Sequence, residues 1–215
     1  MRLNVYTVEV APMATAGPEM GAFVRGELSN HGIGFHPNKT VTRVDEAARC
    51  VEFADGTSAP FDLLMCVPPH EAPAVVRAAQ LTGPSGWIPV DPLTLEVRAP
   101  AAGGGVYAIG DVTTVGLPGR FKPDVALVLP KAGTIAAAER EVMARRIADL
   151  IAGRAPTAEF GGQGFCYLET GGGQAVRGEG SFFAVPHPTM TKHPPSREEF
   201  AGKLEWVAAH LAPRR

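Results

Sequence analysis

The pattern of apolar and polar positions divides the chain into short strands and a few helices. "RLNVYTVEV", residues 2–10, alternates apolar and polar side chains with β-branched residues, which predicts a strand at the start. In "GPEMGAFVRGELSNHGIGF", Met20, Phe23, Val24 and Leu28 fall on one helical face. Gly32 then predicts that the helix ends near His31 and that a strand begins at Ile33. Two alternating runs follow from residue 40, with Asp55-Gly56 as a turn signal between them, and they lead into the continuous apolar run Phe61 to Val67. This predicts a β-meander feeding a buried strand, which Pro68-Pro69 stops because proline cannot donate to a ladder.

Further on, a short helix is expected over Ala72 to Ala79, and "GWIPVDPLTLEV" resumes extended structure, with Asp91 and Glu96 read as solvated charges. "GVYAIGDVTT" predicts a buried strand from Val106 to Asp111. The longest helical pattern runs from Ala132 to Ile151, with Ile135, Ala138, Val142, Ile147 and Leu150 among its apolar positions, and Gly153 and Pro156 close it. Two strand-like pieces, "GFCYLET" and "SFFAVPH", are separated by "GGGQAVRGEG", and Gly103-Gly104-Gly105 and Gly171-Gly172-Gly173 read as loops. The last helix, Ser196 to Leu211, carries a capping-box signature in Ser196 and Glu199. Its predicted apolar face is Phe200, Leu204, Val207 and Leu211, with Trp206 alongside and Arg214-Arg215 beyond, and packing on its own sheet or a second subunit is expected of it.

Composition narrows the function classes. With 20 Lys+Arg against 22 Asp+Glu the chain has no overall attraction for phosphate backbones, so nucleic acid is not an expected partner. Cys50, Cys66 and Cys166 form no CxxC pair. They read as packing thiols, Cys66 as an inert core one, in a reducing, cytoplasmic compartment. His187 and His193 beside proline-rich turns read as loop histidines, and no metal site is expected. No apolar run reaches the roughly 18 residues of a membrane span, so any membrane contact, at the inner face, is expected to be peripheral.

The candidate chemistry lies where the strand at 106–111 stops. Gly110 permits close approach of a ligand to the backbone, and the Asp111 carboxylate accepts hydrogen bonds from hydroxyls, as a sugar-like polyol would offer. "LPKAG", residues 129–133, opens a helix whose amides and positive dipole end stabilise a developing anion, with Lys131 adding a full charge.

In this order, "DPLTLEV", "GVYAIGDV", "LPKAGTIAAAEREVMARRI" and "GFCYLETGGGQA" resemble the C-terminal half of the FAD-dependent pyridine nucleotide-disulfide oxidoreductases. The resemblance is strongest to the branch of sulfide:quinone oxidoreductases and flavocytochrome c sulfide dehydrogenases. It implies an α/β fold: part of a two-dinucleotide-binding-domain, Rossmann-like FAD/NAD(P) flavoprotein with a C-terminal α+β domain. The expected divisions are 1–88, the latter part of an NAD(P)-binding-like domain; 89–152, the C-terminal segment of the FAD-binding domain; and 153–215, an α+β interface domain. Gly110 and Asp111 match the residues that admit the flavin and hold its ribityl chain. Lys131, the candidate catalytic residue, matches with Ala132 and Gly133 the helix start beside the flavin edge that becomes negative on reduction.

Two departures qualify the resemblance. No G-x-G-x-x-G pyrophosphate turn occurs, and Met1 corresponds to a point inside the second nucleotide-binding domain. The chain is therefore expected to carry a partial FAD site that does not retain the cofactor alone, and to associate with an N-terminal flavin-binding half or with itself as a dimer or larger. Nor does "KPDVALVLPKAG" contain the cysteine that sulfide-oxidising members place before this helix, which counts against sulfide oxidation. The implied function is electron transfer from a small reductant, sulfide-like or NAD(P)H, to a quinone or a haem acceptor such as a cytochrome. The alternative is a truncated or degenerate, non-enzymatic fragment that folds and oligomerises without flavin.

Overall fold

Four residues of β1 (Leu3–Tyr6) pair in parallel with β2 (Ile33–His36), and α1 (Pro18–Asn30) makes the crossover between them. The computed structural model describes residues 1–211, and these divide into two units, Met1–His70 and the chain from Glu71 onward. Arg214 and Arg215 lie outside the described residues.

The first unit corrects two expectations. β1 stops at Tyr6 rather than Val10: Thr7 N–H still donates to His36 O, but Asn38 turns to a left-handed φ of +57, so that the Lys39 N–H rather than that of Asn38 reaches Thr7 O and the regular register ends. The meander forms as predicted, with β3 (Val41–Asp45), β4 (Cys50–Phe53) and β5 (Ser58–Pro60) antiparallel around the Asp55-Gly56 turn. Phe61 to Val67, however, is not a buried strand. It forms no ladder, and Leu63, Met65 and Val67 are 80%, 88% and 83% exposed. Cys66 is exposed as well, so it is no core thiol. A continuous apolar run becomes a buried strand only where neighbours supply both ladder partners and covering layers, and only Phe61 and Leu64 find a core, against Val51, Phe53 and Ala59.

In the second unit, a short helix α2 (Ala74–Ala78) precedes β6 (Ile88–Pro89), which pairs in parallel with β7 (Thr113–Thr114). Residues 106–111 run between these elements but are not a regular strand. They hold their neighbours through a single bridge, Glu96 to Tyr107, and two flanking hydrogen bonds, Val97 N–H to Val106 O and Ala108 N–H to Leu95 O. Gly110 then turns the chain at φ +72 into one 3-10 turn, Gly110–Val112. Asp91 is not merely solvated. Partial burial pushes its carboxyl up, but the Thr94 and Leu93 amides and the Arg98 guanidinium outweigh that and hold it at about 2.

Helix α3 (Gly133–Ile151) packs through only part of the predicted apolar pattern, with Ile135 buried and Ala138 and Val142 against the core. Its buried residues are Ile135, Glu139, Met143 and Arg146, whereas Ile147 and Leu150 are exposed. Two polar groups occupy that face because each has a backbone partner: Gly110 N–H for Glu139, and Ala158 O for Arg146.

The last layer is the antiparallel sheet β10-β9-β8, built from β8 (Gln163–Gly171), β9 (Gln174–Ser181) and β10 (Thr189–Lys192). Most of the stretch 171–180 between the two expected strand-like pieces is therefore strand β9, and the expected strand 181–187 is not one. Gly171, Gly172 and Gly173 all adopt positive φ, which closes a tight hairpin and sends the chain straight back along β8. Helix α4 (Arg197–Leu211) starts as predicted, with the Glu199 amide donating to Ser196 Oγ at 3.1 Å, and it packs on β8 and β9. Of its predicted face Phe200 and Val207 are half-buried, whereas Leu204 and Leu211 are exposed, and Trp206 reaches the Phe165 ring edge-on at 6.3 Å.

Candidate cofactor site at the start of α3

The recess lies between the turn at Gly110 and the first turn of α3. Gly110, Asp111, Thr113, Lys131, Ala132 and Glu139 line it, with Val115, Leu129, Pro130 and Ile135 as its apolar floor. Gly110, Asp111, Lys131 and Ala132, singled out from the sequence, thus come together. Gly133 follows as the first residue of α3 and lies against Trp206 rather than in the lining.

Each polar group is fixed by a definite contact. The Gly110 amide donates to Glu139 Oε2 at 2.6 Å, and Thr113 Oγ1 donates to Gly110 O at 2.8 Å, so the glycine turn is held from both sides. A Cβ at position 110 would meet the Ala136 Cβ at 3.2 Å. The Lys131 ammonium donates to Asp111 O and, at 3.0 Å, to Thr113 O, and lies 3.6 Å over the Trp87 ring. The Asp111 carboxylate stands exposed at the rim. No side chain caps the N-terminus of α3, where Ala132 is the flanking residue.

Burial shapes the charges. Glu139 is 1% exposed, and burial pushes its carboxyl up, the Gly110 N–H opposes this, and the nearby Asp111 charge adds to it. Partial burial lowers the Lys131 ammonium, and Asp111 opposes that shift. The arrangement offers a carboxylate for hydroxyls beside a cation and a helix start for an anion. The recess is open, with about 240 Å³ of empty space, solvent included.

Sequence reasoning missed Glu139, Thr113 and Trp87. A signal for Glu139 was present, since it stands four residues from both Ile135 and Met143 on one helical stripe. None marked Trp87, whose place depends on the pairing of β6 with β7.

Residues 1–139 match the family described as pyridine nucleotide-disulphide oxidoreductase. The chain belongs to that family. Over 131 residues it is 25% identical to the mitochondrial sulfide:quinone oxidoreductase of Mus musculus, a match covering 61% of this chain and 26% of the mouse protein. Among solved structures it is similar to the sulfide:quinone oxidoreductase of the hyperthermophilic bacterium Aquifex aeolicus, with a TM-score of 0.75 and 16% identity over 97% of this chain and 49% of that one. It is also similar to an FAD-dependent pyridine nucleotide-disulphide oxidoreductase of Desulfovibrio vulgaris, with a TM-score of 0.54 and 18% identity over 83% of this chain and 42% of that one. The fold is accordingly that of FAD- and NAD(P)-binding oxidoreductases, as the sequence implies. The chain spans about a quarter of the length of the mouse relative and about half of the Aquifex structure.

The donor set suits part of an FAD. Asp111 and the left-handed Gly110 fit a polyol that comes close to the backbone, and the uncapped α3 start with Lys131 fits an anionic ring edge. Among the described residues no group of three or more His, Cys, Asp or Glu side chains is placed to hold a metal ion. Nor is any described helix long and apolar enough to cross a membrane.

Proposed function

We propose that this chain supplies the C-terminal share of an FAD-dependent oxidoreductase that passes electrons from a small reductant, sulfide-like or NAD(P)H, to a quinone or haem acceptor. One observation carries the reading: the Asp111 carboxylate and the uncapped α3 start with Lys131 line the same recess. Bound there, FAD would supply reversible redox chemistry. Asp111 would accept hydrogen bonds from the ribityl hydroxyls, and Gly110 would let them approach. Lys131 and the first-turn amides of α3 would stabilise negative charge at the ring edge, the kind of interaction that favours a reduced cofactor. The rest of the cofactor would be held by a further flavin-binding half, or the chain would associate with itself; contact with a membrane would be peripheral.

The test is an FAD titration of the purified chain, followed by quenching of Trp87 fluorescence in a Trp206→Phe background. Saturable but weak quenching that Asp111→Ala shifts to markedly higher FAD concentration is the expected result. Absence of saturable quenching would overturn the flavin reading in favour of a non-enzymatic fragment.

A further inference from the structure

We infer that Trp87 is a positioning residue that fixes the Lys131 ammonium at the mouth of the recess. A lysine head group has three N–H donors on a flexible stem. Here the Asp111 and Thr113 carbonyls take two donors, and the third side of the ammonium faces the indole at 3.6 Å. The ring does not follow the lysine. Its backbone is set by the sheet, because Ile88 pairs with Thr113 and is 3% exposed, and the Trp87 carbonyl accepts the Gly83 N–H at 2.8 Å. The pairing that places the Thr113 carbonyl under the ammonium therefore also places the indole face against it.

A ring face holds a cation through its quadrupole while shielding it from water, which neither carbonyl does. The two carbonyls anchor the ammonium from one side, and the indole closes the side they leave open. With the indole in place, the charge stays beside the α3 N-terminus, near the Asp111 and Glu139 carboxyls that share the recess. What this charge does for a cofactor rests on the flavin reading above, but its placement does not.

The test labels Lys131 competitively with acetic anhydride across a pH series in the purified chain without added flavin, read by mass spectrometry. Trp87→Leu keeps apolar cover and removes the quadrupole, so the free amine becomes more abundant. At fixed pH, Lys131 should react roughly two- to thirtyfold faster, with Trp87→Phe in between and Trp206→Phe unchanged. Equal reactivity in a Trp87→Leu protein with a native circular dichroism spectrum would overturn the assignment. If Trp87→Leu does not fold, fluorinated tryptophans incorporated in the Trp206→Phe background keep the ring's shape and weaken its quadrupole stepwise. Reactivity should then rise with fluorine count, and a flat series would overturn the inference. A graded series alongside a failed FAD titration would leave Trp87 as the anchor of Lys131 and reject only the flavin reading.

Discussion

The amide of Gly110 donates to the Glu139 carboxylate across 2.6 Å, so the left-handed turn at the mouth of the recess is tied to the buried face of α3. Glu139→Ala leaves that amide without a partner in a dry place and should destabilise the protein by about 1–3 kcal/mol, whereas Glu139→Gln keeps an acceptor and should cost less. Urea unfolding of both variants checks the ordering.

The same carboxyl predicts a pH dependence. Because the folded protein raises its pKa above the ordinary 4.5, its stabilising share is fully present below that value and is lost as pH rises through the folded pKa. Urea midpoints measured from about pH 4 upward should therefore fall more steeply in the wild type than in Glu139→Gln, which has no proton to lose. Parallel profiles would show that Glu139 does not titrate differently on folding.

Gly110→Ala combines a backbone penalty with a contact. Left-handed φ costs a residue with a Cβ about 1–2 kcal/mol, and here the new methyl would also press on Ala136 at 3.2 Å. Gly103 has a similar φ of +70 but open space around its missing Cβ. Gly103→Ala should thus show the backbone cost alone, and the excess loss in Gly110→Ala, read from thermal melts, measures the crowding against α3.

Asp111→Ala should weaken FAD binding about ten- to a hundredfold, the weight of a charge-assisted hydrogen bond. Asp111→Asn should fall between, since its amide oxygen still accepts. Unchanged affinity in the alanine variant would make Asp111 a turn residue only.

Exposed apolar side chains at Leu63, Met65 and Val67 should drive association of the chain, with itself or with a partner half. Light scattering of the purified chain should report a dimer or larger, and Leu63→Lys with Met65→Lys should shift it toward monomer. A wild-type monomer at high micromolar concentration would rule the segment out as a contact.

Local signals in the sequence were read well where local chemistry decides the outcome. Gly32 ended a helix, Asp55-Gly56 turned a hairpin, and Ser196 capped α4. The recess was legible too, because Gly110-Asp111 and Lys131-Ala132 each mark the end of one element and the start of another. What failed were features decided by distant partners. Phe61 to Val67 has the composition of a core strand but no neighbour to pair with, and β9 is obscured because glycines interrupt its alternation, although the loop expected at Gly171 to Gly173 does close its hairpin. The buried face of α3 is legible only in part, at Ile135, Ala138 and Val142, because Glu139 and Arg146 look like surface residues until their backbone partners, Gly110 and Ala158, are known.

Gly133 opens α3 with the Trp206 ring of α4 beside it, so near that an added methyl would touch the indole at 3.5 Å. Thr134, the next residue, donates its hydroxyl to the Phe165 carbonyl of β8. These two positions leave the helix start no freedom from the C-terminal layer. An alanine at 133 would rest on the ring in ordinary contact, whereas a larger side chain would press on it, so larger residues at 133 should accompany smaller ones at 206 across descendants of this gene. Anyone transplanting the Lys131 segment into another scaffold would have to carry the tryptophan of the last helix along with it.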